Sequence, residues 1–196
     1  MEKRIILASQ SPRRKQLLQG LGLSFIVISS SVDEDDVVSK LSPETPVELV
    51  RVLSESKAKA VAEMLSEGLV IGADTIVVLD QEVLGKPKSS QDARQMLQRL
   101  SGRTHAVISG VTIVDANTHE ARTIHTVTEV DFRPVTEQEL DRYLDKADYM
   151  DKAGAYAIQE HGALFVTGIR GCFFNVVGLP ISHTADLLLE FGVDIL

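Results

Sequence analysis

Four short stretches of this sequence carry residues whose types and spacing can do chemistry. Ser9-Gln10-Ser11-Pro12-Arg13-Arg14 joins a strand-like run, Arg4 to Ala8, to a helix start with Ser11 at the N-cap and Pro12 at the first helical position. Two arginines in a first turn oppose the helix dipole. With the unbonded N–H groups of that turn they make an anion site, or else they are two solvated cations on an exposed turn. Asp33-Glu34-Asp35-Asp36 is a run of four acids. Taken alone it is a solvated loop; beside a phosphate site it is a carboxylate cluster for a hard cation. Gly72-Ala73-Asp74-Thr75 is set between Leu69-Val70-Ile71 and Ile76-Val77-Val78. An aspartate inside such a run is costly unless it is paired, hydrogen-bonded or metal-bound, and Gly72 permits close backbone approach. The apolar flanks on both sides argue against a simple turn. Gly85-Lys86-Pro87 holds a lysine on a stiff turn suited to meeting a phosphate, or an ordinary exposed lysine.

A fifth stretch, Asp151 to Gln159, surrounds a lysine, a tyrosine and a glutamine with small residues. The Gln159 amide both donates and accepts and can read a base edge; its plain alternative is a surface loop amide. Lys57, in mid-helix, reads as solvated. Other motifs fail. Gly85-Lys86 lacks the earlier glycine and the following Ser or Thr of a P-loop. Phe25 stands where a dinucleotide fingerprint needs its third glycine. His119 and His125 match no zinc spacing. Cys172 has no evident activating partner, and no Ser-His-Asp arrangement is assembled.

The elements that must position these residues alternate. Phe25 to Ser29 is a second strand, followed by an acidic, loop-like segment from Val32 to Ser42. Thr45-Pro46-Val47-Glu48 is a capping box. It opens a helix that presents Val50, Leu53, Val61 and Met64 or Leu65 on one face. Leu69 to Leu79 is strand-like, interrupted at Gly72 and Asp74. Ser89 to Asp92 caps a helix ending near Ser101-Gly102. His105 to Val114 and Ala121 to Phe132 form an antiparallel pair. Thr136 to Glu139 is a second capping box, with its helix running to about Asp145. Irregular glycine-rich sequence spans Gly154 to Gly178, and a last helix runs from Pro180 to Phe191. Interleaved helices and strands with a hairpin predict an α/β fold with a mixed sheet.

At 196 residues, 44% apolar and 24% charged, the chain is expected to form one domain. A net charge of -8 argues against a nucleic-acid partner, though not against a small phosphorylated ligand. There is no run long enough for a membrane span. A single cysteine and no export signal lead to a cytoplasmic expectation.

Taken in order, the segments resemble the Maf family, the septum-formation-inhibitor-like nucleoside triphosphate pyrophosphatases. The shared pieces are Leu7-Ala8-Ser9-x-Ser11-Pro12-Arg13-Arg14, Val32-Asp33-Glu34, Glu55-x-Lys57-Ala58-x-Ala60, Gly72-Ala73-Asp74-Thr75, Gly85-Lys86-Pro87, Lys152-Ala153-Gly154-Ala155-Tyr156 and Val177-Gly178-Leu179-Pro180. The resemblance implies a single domain over residues 1–196, with a twisted mixed sheet flanked by helices and two lobes around a nucleotide cleft. It implies Asp74 as catalytic acid-base. It implies Ser9, Arg13, Arg14, Lys57 and Lys86 at the phosphates, and Glu34 with Asp74 on a divalent cation, Mg2+ or Mn2+. Four acids in a row leave the metal assignment open among Asp33 to Asp36. Arg13, Thr75 and Gln159 match the family branch acting on dTTP and UTP, where the 7-methyl-GTP branch carries tryptophan, glutamine and glutamate. The implied reaction releases the monophosphate and pyrophosphate. The resemblance also suggests a homodimer. The alternatives are a nucleotide-binding regulator of cell division without turnover, and a nucleotidyltransferase.

Overall fold

The computed structural model describes residues 3–196. In chain order the elements are β1 (Ile5–Leu7), α1 (Pro12–Gly20), β2 (Phe25–Val27), α2 (Glu34–Leu41), α3 (Pro46–Ala62), β3 (Leu69–Leu79), β4 (Glu82–Leu84), α4 (Ser90–Leu100), β5 (Thr104–Asp115), β6 (Ala121–Phe132), α5 (Glu137–Lys146), β7 (Val166–Arg170), α6 (Phe173–Val177) and α7 (Ile181–Glu190). The strands make a sheet in the order β2-β1-β3-β5-β6-β7, with β4 paired to β3. β1 is parallel to both β2 and β3, whereas β4 is antiparallel to β3 and β7 to β6. The sheet is therefore mixed, as the alternation of elements requires. Among the described residues no helix is long and apolar enough to cross a membrane.

The chain divides into two compact units. One comprises the residues up to Thr75, Ser109–Thr126 and Gly178–Leu196; the other comprises Ile76–Ile108 and Val127–Val177. In the first unit β1 and the start of β3 are buried on both faces, which is why their sequences are continuous apolar runs. Ile5, Leu7, Leu69 and Ile71 pack with Leu18 of α1 and with Leu187 and Leu188 of α7. Ile6, Ala8 and Val70 pack on the other side with Ala58, Val61 and Ala62 of α3. Strand periodicity alone produces this division, since successive side chains alternate faces.

Two glycines set how closely α3 approaches the sheet. A Cβ on Gly72 of β3 would lie 2.3 Å from the Ser54 carbonyl oxygen and 2.7 Å from the Ala58 nitrogen. One on Gly110 of β5 would lie 2.3 Å from the Val50 carbonyl oxygen. The atoms met are helix backbone, which cannot rotate away. Gly72 thus gives the close approach read from its position.

Several expectations are corrected. β3 is one uninterrupted strand, with Gly72 and Asp74 inside its ladder. The acidic segment is not a loop but helix α2: Asp33 caps it by accepting from Asp36 N–H, and its three first-turn acids face the positive end of the dipole. The stretch from Gly154 to Gly178 is more ordered than its glycines suggest. It holds the end of a 3-10 turn (Ala153–Ala155), a second one (His161–Phe165), strand β7 and helix α6. Ser11 occupies the N-cap of α1 without a side-chain cap bond; its own N–H donates to Ser9 Oγ at 3.2 Å. Met64 lies beyond the end of α3 and is exposed, while Leu65 packs on the core. Both capping boxes, at Thr45 and Thr136, form as read.

The second unit is organised around aromatic rings. Phe132, Tyr156 and His105 meet edge-on, and Phe165 adds to the group. His105 is buried, with Nε2 bonded to the Tyr156 hydroxyl at 2.7 Å. Burial, opposed only in part by Asp131, pulls its pKa from 6.5 down to about 4.

Two outcomes follow from this packing. Gly72→Ala and Gly110→Ala each lower the unfolding free energy by about 2 kcal/mol or more, read from urea denaturation midpoints. A neutral result would mean that α3 stands off the sheet. For His105 the depressed pKa means that the unfolded chain takes up a proton, between about pH 6.5 and 4, that the folded chain refuses. Stability therefore falls as pH drops through that window, at up to about 1.4 kcal/mol per pH unit. The difference in unfolding free energy between wild type and His105→Gln should shrink from pH 7 to pH 4.5. A constant difference would contradict the neutral, buried imidazole.

Candidate functional site

The sequence of β3 puts Asp74 in the middle of a strand whose described neighbours are all buried except Thr75. Asp74 itself is 8% exposed. Its charge is met by the next element back in the chain. Lys57, on the face of α3 that Gly72 lets approach, places Nζ 2.6 Å from Asp74 Oδ1. The same ammonium lies 2.7 Å from Glu34 Oε1 at the start of α2. One lysine therefore gathers two carboxylates from different elements, and the sum of the two contacts is the ceiling on the distance between those oxygens. Glu34 is half-exposed on its outer side, whereas the Lys57 and Asp74 side chains are 13% and 11% exposed.

The other three acids of the run do other work. Asp33 caps α2, and Asp36 pairs with Lys40 one turn on, at 2.7 Å. Asp35 is exposed in the helix's first turn. Of the four acids, Glu34 is the one that lies against Lys57 together with Asp74.

A second cluster adjoins the first through Thr75. Arg14 spreads three bonds: Nε donates to the Gly178 carbonyl at 2.9 Å, Nη1 to Ser9 Oγ at 3.1 Å, and Nη2 to Thr75 Oγ1 at 3.1 Å. Thr75 Oγ1 also shares a hydrogen bond with Ser109 Oγ at 2.8 Å and donates to the Gly178 carbonyl at 3.3 Å. Burial lowers the Arg14 pKa; Asp74 raises it, Arg13 lowers it and Glu34 raises it again, in descending order of effect. A guanidinium stays charged through such a shift. Arg14 is thus a fixed cation within electrostatic reach of both carboxylates and of a second arginine. Arg13, half-buried beside it in α1, keeps the first turn doubly positive.

The first unit therefore brings together Ser9, Arg13, Arg14, Glu34, Lys57, Asp74 and Thr75. Lys86 and Gln159 belong to the second unit. Lys86 is exposed on the turn after β4, and Gln159 is exposed just before the turn His161–Phe165. The Gly154 N–H donates to the Gly85 carbonyl at 3.0 Å, so the two stretches that carry Lys86 and Gln159 are hydrogen-bonded to each other.

Sequence reasoning missed Ser109 and the Gly178 carbonyl, which complete the Arg14–Thr75 network. Ser109 could have been flagged by the rule that flagged Asp74, since it too is a polar residue inside an apolar strand. Lys57 was read as solvated on its position alone; its partners lie on two other elements and leave no local mark.

A hard divalent cation fits this donor set. Two carboxylate oxygens already converge on one positive charge. Magnesium in particular is held by one or two carboxylates together with waters and substrate phosphates, not by a full protein cage. No group of three or more His, Cys, Asp or Glu side chains able to hold a metal occurs among the described residues.

Comparison with known proteins identifies relatives of this chain. The family model described as Maf-like protein matches residues 4–191. The dTTP/UTP pyrophosphatase of Desulforamulus reducens is 50% identical over 97% of this chain and 98% of its own length. That of Pelotomaculum thermopropionicum is 46% identical over 99% and 100%. That of Clostridioides difficile is 46% identical over 95% and 94%. Among solved structures, the Staphylococcus aureus Ham1 protein matches with a TM-score of 0.42 and 18% identity, over 66% of this chain and 72% of that one. Over residues 4–191, nearly all of its length, this chain belongs to the Maf-like protein family.

Proposed function

We propose that the protein hydrolyses nucleoside triphosphates, dTTP and UTP in preference, to the monophosphate and pyrophosphate, using a divalent cation. The observation that carries this reading is the convergence of Asp74 and Glu34 on the Lys57 ammonium, beside the tethered Arg14 guanidinium. The full-length relatives named dTTP/UTP pyrophosphatase support the choice of substrate. The family match spans both units, which fits one functional domain. The same reading takes the protein as a cytoplasmic enzyme, on its lone cysteine and the lack of an export signal, and as a homodimer, on the family resemblance alone.

In this scheme Glu34 and Asp74 would hold the cation. When bound it would polarise phosphoryl oxygens and lower the pKa of a water. The chain's own residues supply the rest. Phosphoryl transfer needs positioning and charge neutralisation more than covalent help. Arg13, Arg14, Lys57 and Lys86 neutralise the triphosphate oxygens, and Ser9 and Thr75 hold the Arg14 fork at a fixed angle. Preorganised donors of this kind cost no rearrangement when charge develops. An Asp74 carboxylate oxygen accepts the proton of the attacking water. Gln159 meets the carbonyl–NH–carbonyl edge common to thymine and uracil, which needs both a donor and an acceptor.

Asp74→Asn should abolish turnover while a slowly hydrolysed triphosphate analogue still binds. Asparagine keeps the shape and the contact region of Lys57, but it neither takes a proton nor binds a hard cation well. Single-turnover kinetics beside analogue titration decides it, and turnover like wild type would remove Asp74 from the chemistry. Gln159→Glu should lower kcat/KM for dTTP and UTP about tenfold or more, since an unmatched buried polar group costs roughly 1–3 kcal/mol. Because Gln159 is exposed in the free protein, the melting temperature should hardly move. Equal wild-type rates on purine and pyrimidine triphosphates would refute the substrate choice and leave the hydrolytic reading standing.

A further inference from the structure

The second unit buries one ammonium to which the proposed reaction gives no role. Lys152 is 3% exposed. Its Nζ lies 2.7 Å from Asp151 Oδ1 and 3.7 Å from both Asp148 Oδ2 and Glu160 Oε2. Lysine is almost never fully buried unless paired, because the ion gives up its hydration. Here the three carboxylates stay 51%, 81% and 41% exposed respectively, so the lysine alone bears the burial.

The partners come from both sides of it in the chain. Asp148 and Asp151 precede it or adjoin it, while Glu160 lies eight residues on and directly follows Gln159. The side chain therefore closes the segment 152–160 into a loop. The near half of that loop is pinned by other bonds. Gly154 N–H donates to the Gly85 carbonyl, the Tyr143 hydroxyl donates to the Ala155 carbonyl at 3.0 Å, and the Tyr156 hydroxyl pairs with His105. The far half has the longer Glu160 N–H to Ala157 carbonyl bond, at 3.3 Å, the Ala163 N–H to Glu160 carbonyl bond, at 2.9 Å, and the charge of Lys152 on the Glu160 side chain.

We propose that Lys152 is a positioning residue for base selection: its ammonium holds Glu160, and through one peptide unit fixes the direction of the Gln159 amide. This rests on the reading of Gln159 as the group that meets the base. Lys152 itself touches neither base nor phosphate. A displaced amide loses the match to one base edge while phosphate handling is kept, so the loss falls on discrimination and on KM for the preferred base. A merely structural lysine would instead lower the folded fraction and scale all substrates alike.

The test measures the ratio of kcat/KM for dTTP over dGTP in wild type, Lys152→Met, Lys152→Arg, Gln159→Ala and the double variant Lys152→Met with Gln159→Ala. Lys152→Met should reduce the ratio about tenfold, chiefly through KM for dTTP. Lys152→Arg, which keeps the charge, should restore most of it. In the Gln159→Ala background the methionine should have no further effect. If Lys152→Met does not fold, Glu160→Lys takes its place; that residue is exposed, and the reversed charge repels Lys152. An unchanged ratio in these variants, with a lowered one in Gln159→Ala, overturns the positioning role. An unchanged ratio in Gln159→Ala alone overturns the reading of Gln159, and the proposal with it.

Discussion

A carboxylate in the middle of a strand buried on both faces has to be paired, hydrogen-bonded or metal-bound, and in this molecule Lys57 pairs with Asp74 at 2.6 Å. Removing Lys57 would leave the buried Asp74 charge without compensation, a loss that costs about 3–5 kcal/mol in comparable buried pairs. The arrangement of the first unit follows from that need. α3 must lie close to β3 for a lysine to reach, and glycine at 72 and 110 clears the space that a Cβ would fill. α2 must begin where its first acid can share the ammonium, and Asp33 starts the helix there. In the proposed reaction, a site held together by mutual neutralisation would exchange charge with a triphosphate and its cation.

The hydroxyl network beside it has a different physical character. Ser9, Thr75 and Ser109 offer short, neutral groups that hold the Arg14 guanidinium by hydrogen bonds, without cancelling its charge. The result is a cation with fixed direction, which is what a phosphate requires. The acids and the arginine thus sit side by side without collapsing into a salt bridge: the acids are tied to Lys57, and the arginine to hydroxyls and a carbonyl.

Much of this was legible in the sequence, for identifiable reasons. The strands and capped helices announce themselves locally, as in the two capping boxes at Thr45 and Thr136. Asp74 stood out because its apolar flanks make an uncompensated charge implausible. The acidic run reads as a loop on charge density alone, although Asp33 with Asp36 three residues on is itself a helix-start signal. β7 was hidden by glycines at 168 and 171 that blur its alternation. The contacts that define the site had no local signature at all. Arg14 and the Gly178 carbonyl are 164 residues apart in the chain, and only the fold brings them together.

Release of pyrophosphate from a panel of nucleoside triphosphates, with and without a divalent cation, tests the central claim most directly. The account predicts cation-dependent release from dTTP and UTP, with the matching monophosphate formed in equal amount. Orthophosphate as the first product, or tight triphosphate binding with no release of either ion, would contradict it.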